Sequence, residues 1–410
     1  MSQNGLLRGV ARKLVLICLV VAIMTPGMAL AEEPVITFGA ALPLTGALAT
    51  EGEKHLHGYE MWKDKVNARG GINVGGVQYK VDIKYYDYKS DTATSVRLVE
   101  KLITEDGIQF IFGPHGSGSA KACSTITEKY RVPMIAPSAS SVEVYTQGYK
   151  YLFGTFTPNE TLTEPLSKIA SELSDPPKTV AIISRNDLFP LAIGNCAKDS
   201  AEKYGMDVVY FEKYPIGVSD FSPLLIQVKG KNPDWVFATG YAEDLILIKR
   251  QMKELGIQPK MVTMIAGAAY KEFVDALGKD AEYVTTASWW HPAAKYEGID
   301  MWGTAANYVA EFEEKYGYTP DYVPASASTV GIIFEKAIEA AGVLDPEKVR
   351  DEIAKADYVT FYGPIRFDEK GQNIALDPPV MQIKDGKHMA IHPASIAEIE
   401  FIYPIPYDAE

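Results

Sequence analysis

Six histidines are the first residues in this 410-residue chain to examine for chemistry: His55, His57, His115, His291, His388 and His392. None sits in the H-E-x-x-H pattern that would hold zinc beside a general base. His55 and His57 are two apart, point to different sides of a helix, and are expected on solvated surface. Gly113, Gly116 and Gly118 depart from the G-x-G-x-x-G order of a dinucleotide loop, and no Walker phosphate loop occurs. Ser117 lacks the G-x-S-x-G surroundings of a nucleophile elbow. Cys123 and Cys196 belong to no C-x-x-C pair or metal-like cluster. They fall in separate predicted helices, and a bridge would need their Cα atoms within about 7 Å, which disfavours one. With no nucleophile, base and acid brought together, the chain reads as a non-enzyme without metal or cofactor.

Binding is the chemistry that remains. Three loops follow predicted strands: Leu42–Gly46, Gly113–Ser119 and Pro137–Ser141. In open α/β sheets ligands lie beyond the carboxyl ends of strands, near helix N-termini. Ser117 would set a hydroxyl beside free N–H groups at a helix start, a site suited to a carboxylate or another small acceptor. Taken alone, Ser117, Ser119, Ser138 and Ser140 read better as caps of their own helices than as ligand contacts.

The elements that must hold these loops alternate along the chain. Val35–Ala40 is an apolar strand, and a helix from 52 to 68 places Leu56, Tyr59, Trp62 and Val66 on one face. Gly70-Gly71 ends it, and Gly75-Gly76 turns the chain into Val77–Asp87. Asp91 caps the next helix. Ile108–Phe112, a helix 117–131 and strand 133–137 follow. The rhythm returns with strands at 180–183, 208–211, 235–238 and 261–265, separated by helices. Further helices are expected at 302–316, 326–341 and 347–356, and β-structure with turns from 361 to 383. This β-α alternation predicts mainly parallel sheets with helices on both faces, in two doubly wound lobes.

The N-terminus reads as a signal peptide over residues 1–31. Arg8, Arg12 and Lys13 precede the apolar run Leu14–Met24 and the cleavage pattern Ala29-Leu30-Ala31. That run is shorter than the ~20 residues of a spanning helix. Leu16-Ile17 before Cys18 lacks the small residue that lipid attachment favours. Cleavage would remove three positive charges, taking the formal charge from −13 to −16. So acidic a chain argues against nucleic-acid binding. Roughly 380 remaining residues exceed one typical core.

Six stretches carry a resemblance. They are Ile36–Gly46 with Ala-Leu-Pro-Leu-Thr-Gly, Asn67–Ile72, Gly113–Ser119, Met134–Ser141, Tyr214–Phe221 and Tyr362–Phe367. The chain resembles type I periplasmic binding proteins, in particular the branched-chain amino-acid binding proteins of ABC importers, over nearly all of residues 34–406. The resemblance implies a lobe of 34–156 plus 287–360, a second of 157–286 plus 361–406, and three crossings near 155–158, 286–288 and 359–362. It implies capture of a small-molecule solute in the cleft by hinge closure and delivery to an ABC permease. It also implies an extracytoplasmic location, and a monomer is expected. By the resemblance, Ser117 and Ser140 meet a ligand carboxylate, with the Ser138 backbone, Gly116 and Ala139 beside them. Phe189 and Tyr241 close over the ligand, and Glu51 falls where an aromatic residue is common. The acidic partner of a ligand ammonium falls near Ala266, which carries no charge. A buried ammonium without a counter-charge is costly. Either Glu51, Glu243 or Asp244 substitutes, or the solute is a carboxylate, aromatic acid or amide without an ammonium, which the sequence favours. Trp289 and Trp290 read either as ligand contacts or as hinge packing.

Overall fold

A computed structural model describes residues 33–407; the targeting segment expected at 1–31 lies outside them. The first sheet is built from β1 (Val35–Leu42), β2 (Ile72–Val74), β3 (Val77–Asp87), β4 (Ile111–Phe112), β5 (Met134–Ala136) and β6 (Leu152–Gly154), with α1 (Ala49–Ala68), α2 (Thr92–Thr104) and α3 (Ser117–Tyr130) between them. Its order is β2-β3-β1-β4-β5-β6, parallel except for the β2–β3 hairpin. Gly75 and Gly76 make that hairpin's turn with φ of +58° and +95°, which glycine adopts without steric cost. Asp91 caps α2 as expected, accepting the Thr94 N–H at 2.7 Å.

The chain then runs through α4 (Glu160–Ser171), β7 (Thr179–Arg185), α5 (Leu188–Lys203), β8 (Asp207–Tyr214), α6 (Ser222–Lys231), β9 (Trp235–Gly240), α7 (Ala242–Glu254), β10 (Met261–Ala266), α8 (Lys271–Leu277) and β11 (Thr285–Ala287). It returns to the first sheet's flank with α9 (Ala305–Tyr316), α10 (Tyr322–Ala341) and α11 (Pro346–Ala354). Next come the antiparallel pair β12 (Asp357–Thr360) and β13 (Gly363–Arg366), then β14 (Val380–Lys384) and β15 (Lys387–His392). The second sheet is ordered β15-β14-β11-β10-β9-β7-β8, with only β14 and β15 antiparallel to their neighbours. Helix α10 lies close on α1: a Cβ added to Gly331 would stand 2.1 Å from the Trp62 ring. Only a residue without a side chain allows that approach.

Three passages join the two sheets, and side chains tie them together. Trp289 stacks on Phe156 at 3.8 Å with 6° between the rings, and its Nε1 donates to the Thr157 carbonyl. Trp290 Nε1 donates to the carbonyl of Phe361. The third passage also runs along the first sheet's edge, where Gly154 bonds to Gly371 and Asn373.

Four expectations need correction. β4 is shorter than 108–112, because the Ile108 N–H is taken by the Leu102 carbonyl at the end of α2. α10 starts at Tyr322 rather than 326: Asp321 accepts the Val323 N–H, and Pro324 is tolerated in a first turn. β15 was not expected, although Asp385-Gly386 makes the left-handed turn that precedes it. His55 is fully buried rather than solvated, because that face of α1 turns inward with Glu51 and Gly58.

Candidate functional site

A small cavity of about 10 Å³ lies where the two sheets' loops meet, lined by ten residues. Nine follow the carboxyl ends of parallel strands. His115 and Gly116 come after β4, Ser138 after β5, Phe156 after β6, Phe189 after β7 and Tyr241 after β9. Ala266 ends β10, Tyr270 follows it, and Trp289 follows β11. Tyr322 opens α10. Such convergence marks the ligand position of α/β sheets. A wider groove of about 700 Å³ runs between the α9–α10 loop and the β14–β15 hairpin. Its polar groups are already engaged: His388 Nε2 with the Ala268 carbonyl, His291 Nε2 with the His388 carbonyl, and Asp321 with Lys54.

Of the sequence-predicted residues, Gly116, Ser138, Phe189, Tyr241 and Ala266 line the cavity. Ser117, Ala139 and Ser140 stand behind this lining and are buried. Ser117 Oγ accepts the N–H groups of Ser140 and Ser141, both at 3.3 Å, tying the two first-sheet loops together. With its oxygen so used, the Ser117 hydroxyl hydrogen remains to donate. Ser138 Oγ accepts the Gly116 N–H at 3.1 Å and lies 3.2 Å from His115 Nδ1. The Ser140 hydroxyl is buried without a hydrogen-bond partner. Gly116 has φ of +83°, and a Cβ there would come 3.6 Å from the Tyr241 hydroxyl, so the two sheets' loops are in close approach.

Glu51 lies on α1 with Lys54 and His55, at helical spacing that puts all three on one face. It is 2% exposed, and its Oε1 has no hydrogen-bond partner. Burial, aided by the charges of Glu272 and Asp321, outweighs its own backbone bond and Lys54 and pushes its pKa up to about 7. Lys54 bridges Glu272 of α8 at 2.8 Å and Asp321 at the start of α10 at 2.5 Å. Burial opposes its charge, but the two carboxylates prevail and hold its pKa above the ordinary value. Burial pushes His55 down to about 4 and His115 well below the imidazole range. The His55 Nδ1 faces the Glu51 carbonyl at 2.7 Å and therefore carries the hydrogen, leaving Nε2 as a buried acceptor. The two rings stand 5.1 Å apart, and His115 is 5.8 Å from Tyr241.

Of the three acids that sequence offered as a counter-charge, Glu243 is exposed. Asp244 is committed to Arg185 at 2.8 Å and to the Tyr241 N–H. Of the three, Glu51 alone is buried with a carboxyl oxygen, Oε1, that lacks a hydrogen-bond partner. Sequence reasoning did not assign His115, Phe156, Tyr270 or Tyr322 to the site. For the first three the signal was position, each lying within four residues of a strand's end. The structure records Cys123 and Cys196 as free thiols. Among the described residues no cluster of His, Cys, Asp or Glu is arranged to hold a metal. No described helix is long and apolar enough to cross a membrane.

Two mainly parallel sheets, three connecting passages and a cavity between strand ends define a cleft-type binding protein. The periplasmic binding protein family matches residues 35–387, and the chain belongs to it. It is 28% identical over 385 residues to a Leu/Ile/Val-binding protein homolog of Brucella abortus (strain 2308), covering 89% of this chain and 93% of that one. It is 29% identical over 347 residues to a leucine-, isoleucine-, valine-, threonine- and alanine-binding protein of Pseudomonas aeruginosa, covering 82% and 86%. A leucine-binding protein of Thermotoga maritima shares the fold at a TM-score of 0.78 with 24% identity, over 87% of this chain and 97% of that one.

Proposed function

We propose that this chain is the solute-capturing subunit of an ABC importer. It is exported by a cleaved signal peptide, works as a monomer outside the cytoplasm, and hands its solute to a membrane permease. The two lobes are 34–156 with 287–360 and 157–286 with 361–406, except that 363–373 stay with the first, where β13 pairs with β12 and Gly371 and Asn373 bond to Gly154. They close about the three passages, and the solute is held between them. The observation that carries this reading is the cavity, whose lining comes from the strand ends of both sheets and from the passages between them. Its polar end lies at Gly116 and Ser138, backed by the Ser117–Ser140 contact and the N-terminus of α3, where donors favour a carboxylate or polar head group. Its apolar end is aromatic, and Phe189 and Tyr241 would meet the tail. The binding of branched-chain amino acids by relatives makes such solutes members of the test panel, beside benzoates, short-chain acids and amides.

A thermal-shift screen of that panel, followed by small-angle scattering, tests the reading. A bound solute should make the protein more compact. Tight binding with unchanged dimensions refutes closure between lobes.

A further inference from the structure

Aromatic side chains make up most of the cavity lining, and carboxyl groups outnumber cations around it. Phe156, Phe189, Tyr241, Tyr270, Trp289 and Tyr322 are six of the ten lining residues. Two rings already hold a cation against a face: Lys54 Nζ stands 4.4 Å from the Tyr270 centroid, and the Arg185 guanidinium 4.8 Å from that of Tyr241. Both cations are engaged by carboxylates, Lys54 by Glu272 and Asp321, Arg185 by Asp187 and Asp244. Glu51 is then a fifth carboxyl group against two cations; it is not itself in the lining, but shares its buried face of α1 with Lys54 and with His55, whose ring stands 5.1 Å from that of His115 in the lining. His55 and His115 add no positive charge, since burial keeps both neutral at pH 7.

We propose that the solute carries a fully alkylated ammonium group, held among these aromatic rings with Glu51 as its counter-charge. The inference rests on the reading that this cavity is the solute site. A primary ammonium brings three N–H donors that need acceptors, and among the lining side chains His115 Nε2 is the one buried acceptor left without a partner. A fully alkylated ammonium carries no N–H, needs no acceptor and is drawn to the negative face of aromatic rings. Its charge offsets the excess of carboxylates, and a carboxylate or hydroxyl on the same molecule would reach the Gly116 and Ser138 end. Tyr241 and Phe189 belong to second-sheet loops, whereas His115, Gly116 and Ser138 belong to the first, so parting of the lobes widens the space. Glu51, without a cation of its own, holds its proton up to about pH 7. A bound cation lowers that value, so binding near pH 7 releases protons.

Isothermal titration in two buffers of different ionisation heat tests this on the whole mature protein. The probes are glycine betaine and choline, the isosteres of each in which an uncharged carbon replaces the nitrogen, and unmethylated glycine and leucine. At least one fully alkylated ammonium compound should bind at least about tenfold tighter than its carbon isostere and than the amino acids, with proton release. Glu51→Gln should lose most of that preference and all of the release; the wild-type isostere ratio stands without the variant. Equal or tighter binding of the isosteres, preference for an unmethylated amino acid, cation binding without proton release, or binding of no probe overturns the inference. If another solute from the screen compacts the protein, the solute-binding reading survives that failure. If no solute does, both fall.

Discussion

Replacing Glu51 by glutamine should change how stability depends on pH. The folded-state pKa of Glu51 is raised from 4.5 to about 7, chiefly by burial. Below 4.5 the carboxyl is neutral in folded and unfolded chains alike, and it costs nothing through ionisation. As pH rises the unfolded chain ionises first, so the native state loses stability until pH passes about 7, after which the loss is constant. At about 1.4 kcal/mol per pH unit, the rise is worth about 3 kcal/mol. Glutamine has no such decline, but it buries an extra donor, costing about 1–3 kcal/mol at every pH. The variant should therefore be the less stable protein at pH 4.5 and draw level with or pass the wild type at pH 8. Urea unfolding followed by circular dichroism at both values measures this. Other titrating groups are common to both proteins and cancel in the difference. If the two stability profiles run parallel from pH 4.5 to 8, Glu51 is ordinary in the folded chain and the argument for its buried, uncompensated carboxyl is wrong.

Ser117→Ala removes the acceptor of two buried N–H groups. It should lower stability by about 1–3 kcal/mol in thermal unfolding and weaken solute binding by at least about tenfold in calorimetry. Glu272→Gln cuts the α8 arm of the Lys54 bridge, and with its side chain 42% exposed it should reduce affinity only about fewfold while shifting the scattering profile towards the open form. Gly331→Ala drives a methyl into the Trp62 ring and should cost about 1–3 kcal/mol, read as a lowered Tm with affinity unchanged in the protein that remains folded. Phe189→Ala and Tyr241→Ala should each weaken binding; if both leave affinity intact, the solute lies elsewhere.

The parallel sheets were legible because their strands are buried on both faces and read as apolar runs. Val35–Leu42 and Trp235–Gly240 are the plainest cases. Helix starts were legible where an Asp stood ready to cap, as at Asp91. His55 was misread because residue type alone suggests solvent; only the packing of α10 on α1 turns that face inward. The site was half legible. Loop position pointed to Gly116 and Ser138, since the fold rule concerns strand ends; Phe189 and Tyr241 came from the family resemblance. Tyr322 was not reachable that way, because it comes to the cavity on a helix far along the chain, after the second passage. Nor could spacing show that Asp244 is spent on Arg185, a contact between residues 59 apart.

Two neighbouring tryptophans fasten different pairs of strands in the joint: Trp289 pins the second passage to the first, and Trp290 pins it to the third. Three parallel cords pinned at one level resist sliding and stretching far more than they resist torsion about their common direction. The joint should therefore behave as an axle, with one soft angular coordinate and stiff translation. Loops far from that axle would then sweep the largest arcs for a small turn at the tryptophans, while those bearing Tyr241 and Gly116, which share a cavity with Trp289, would move little.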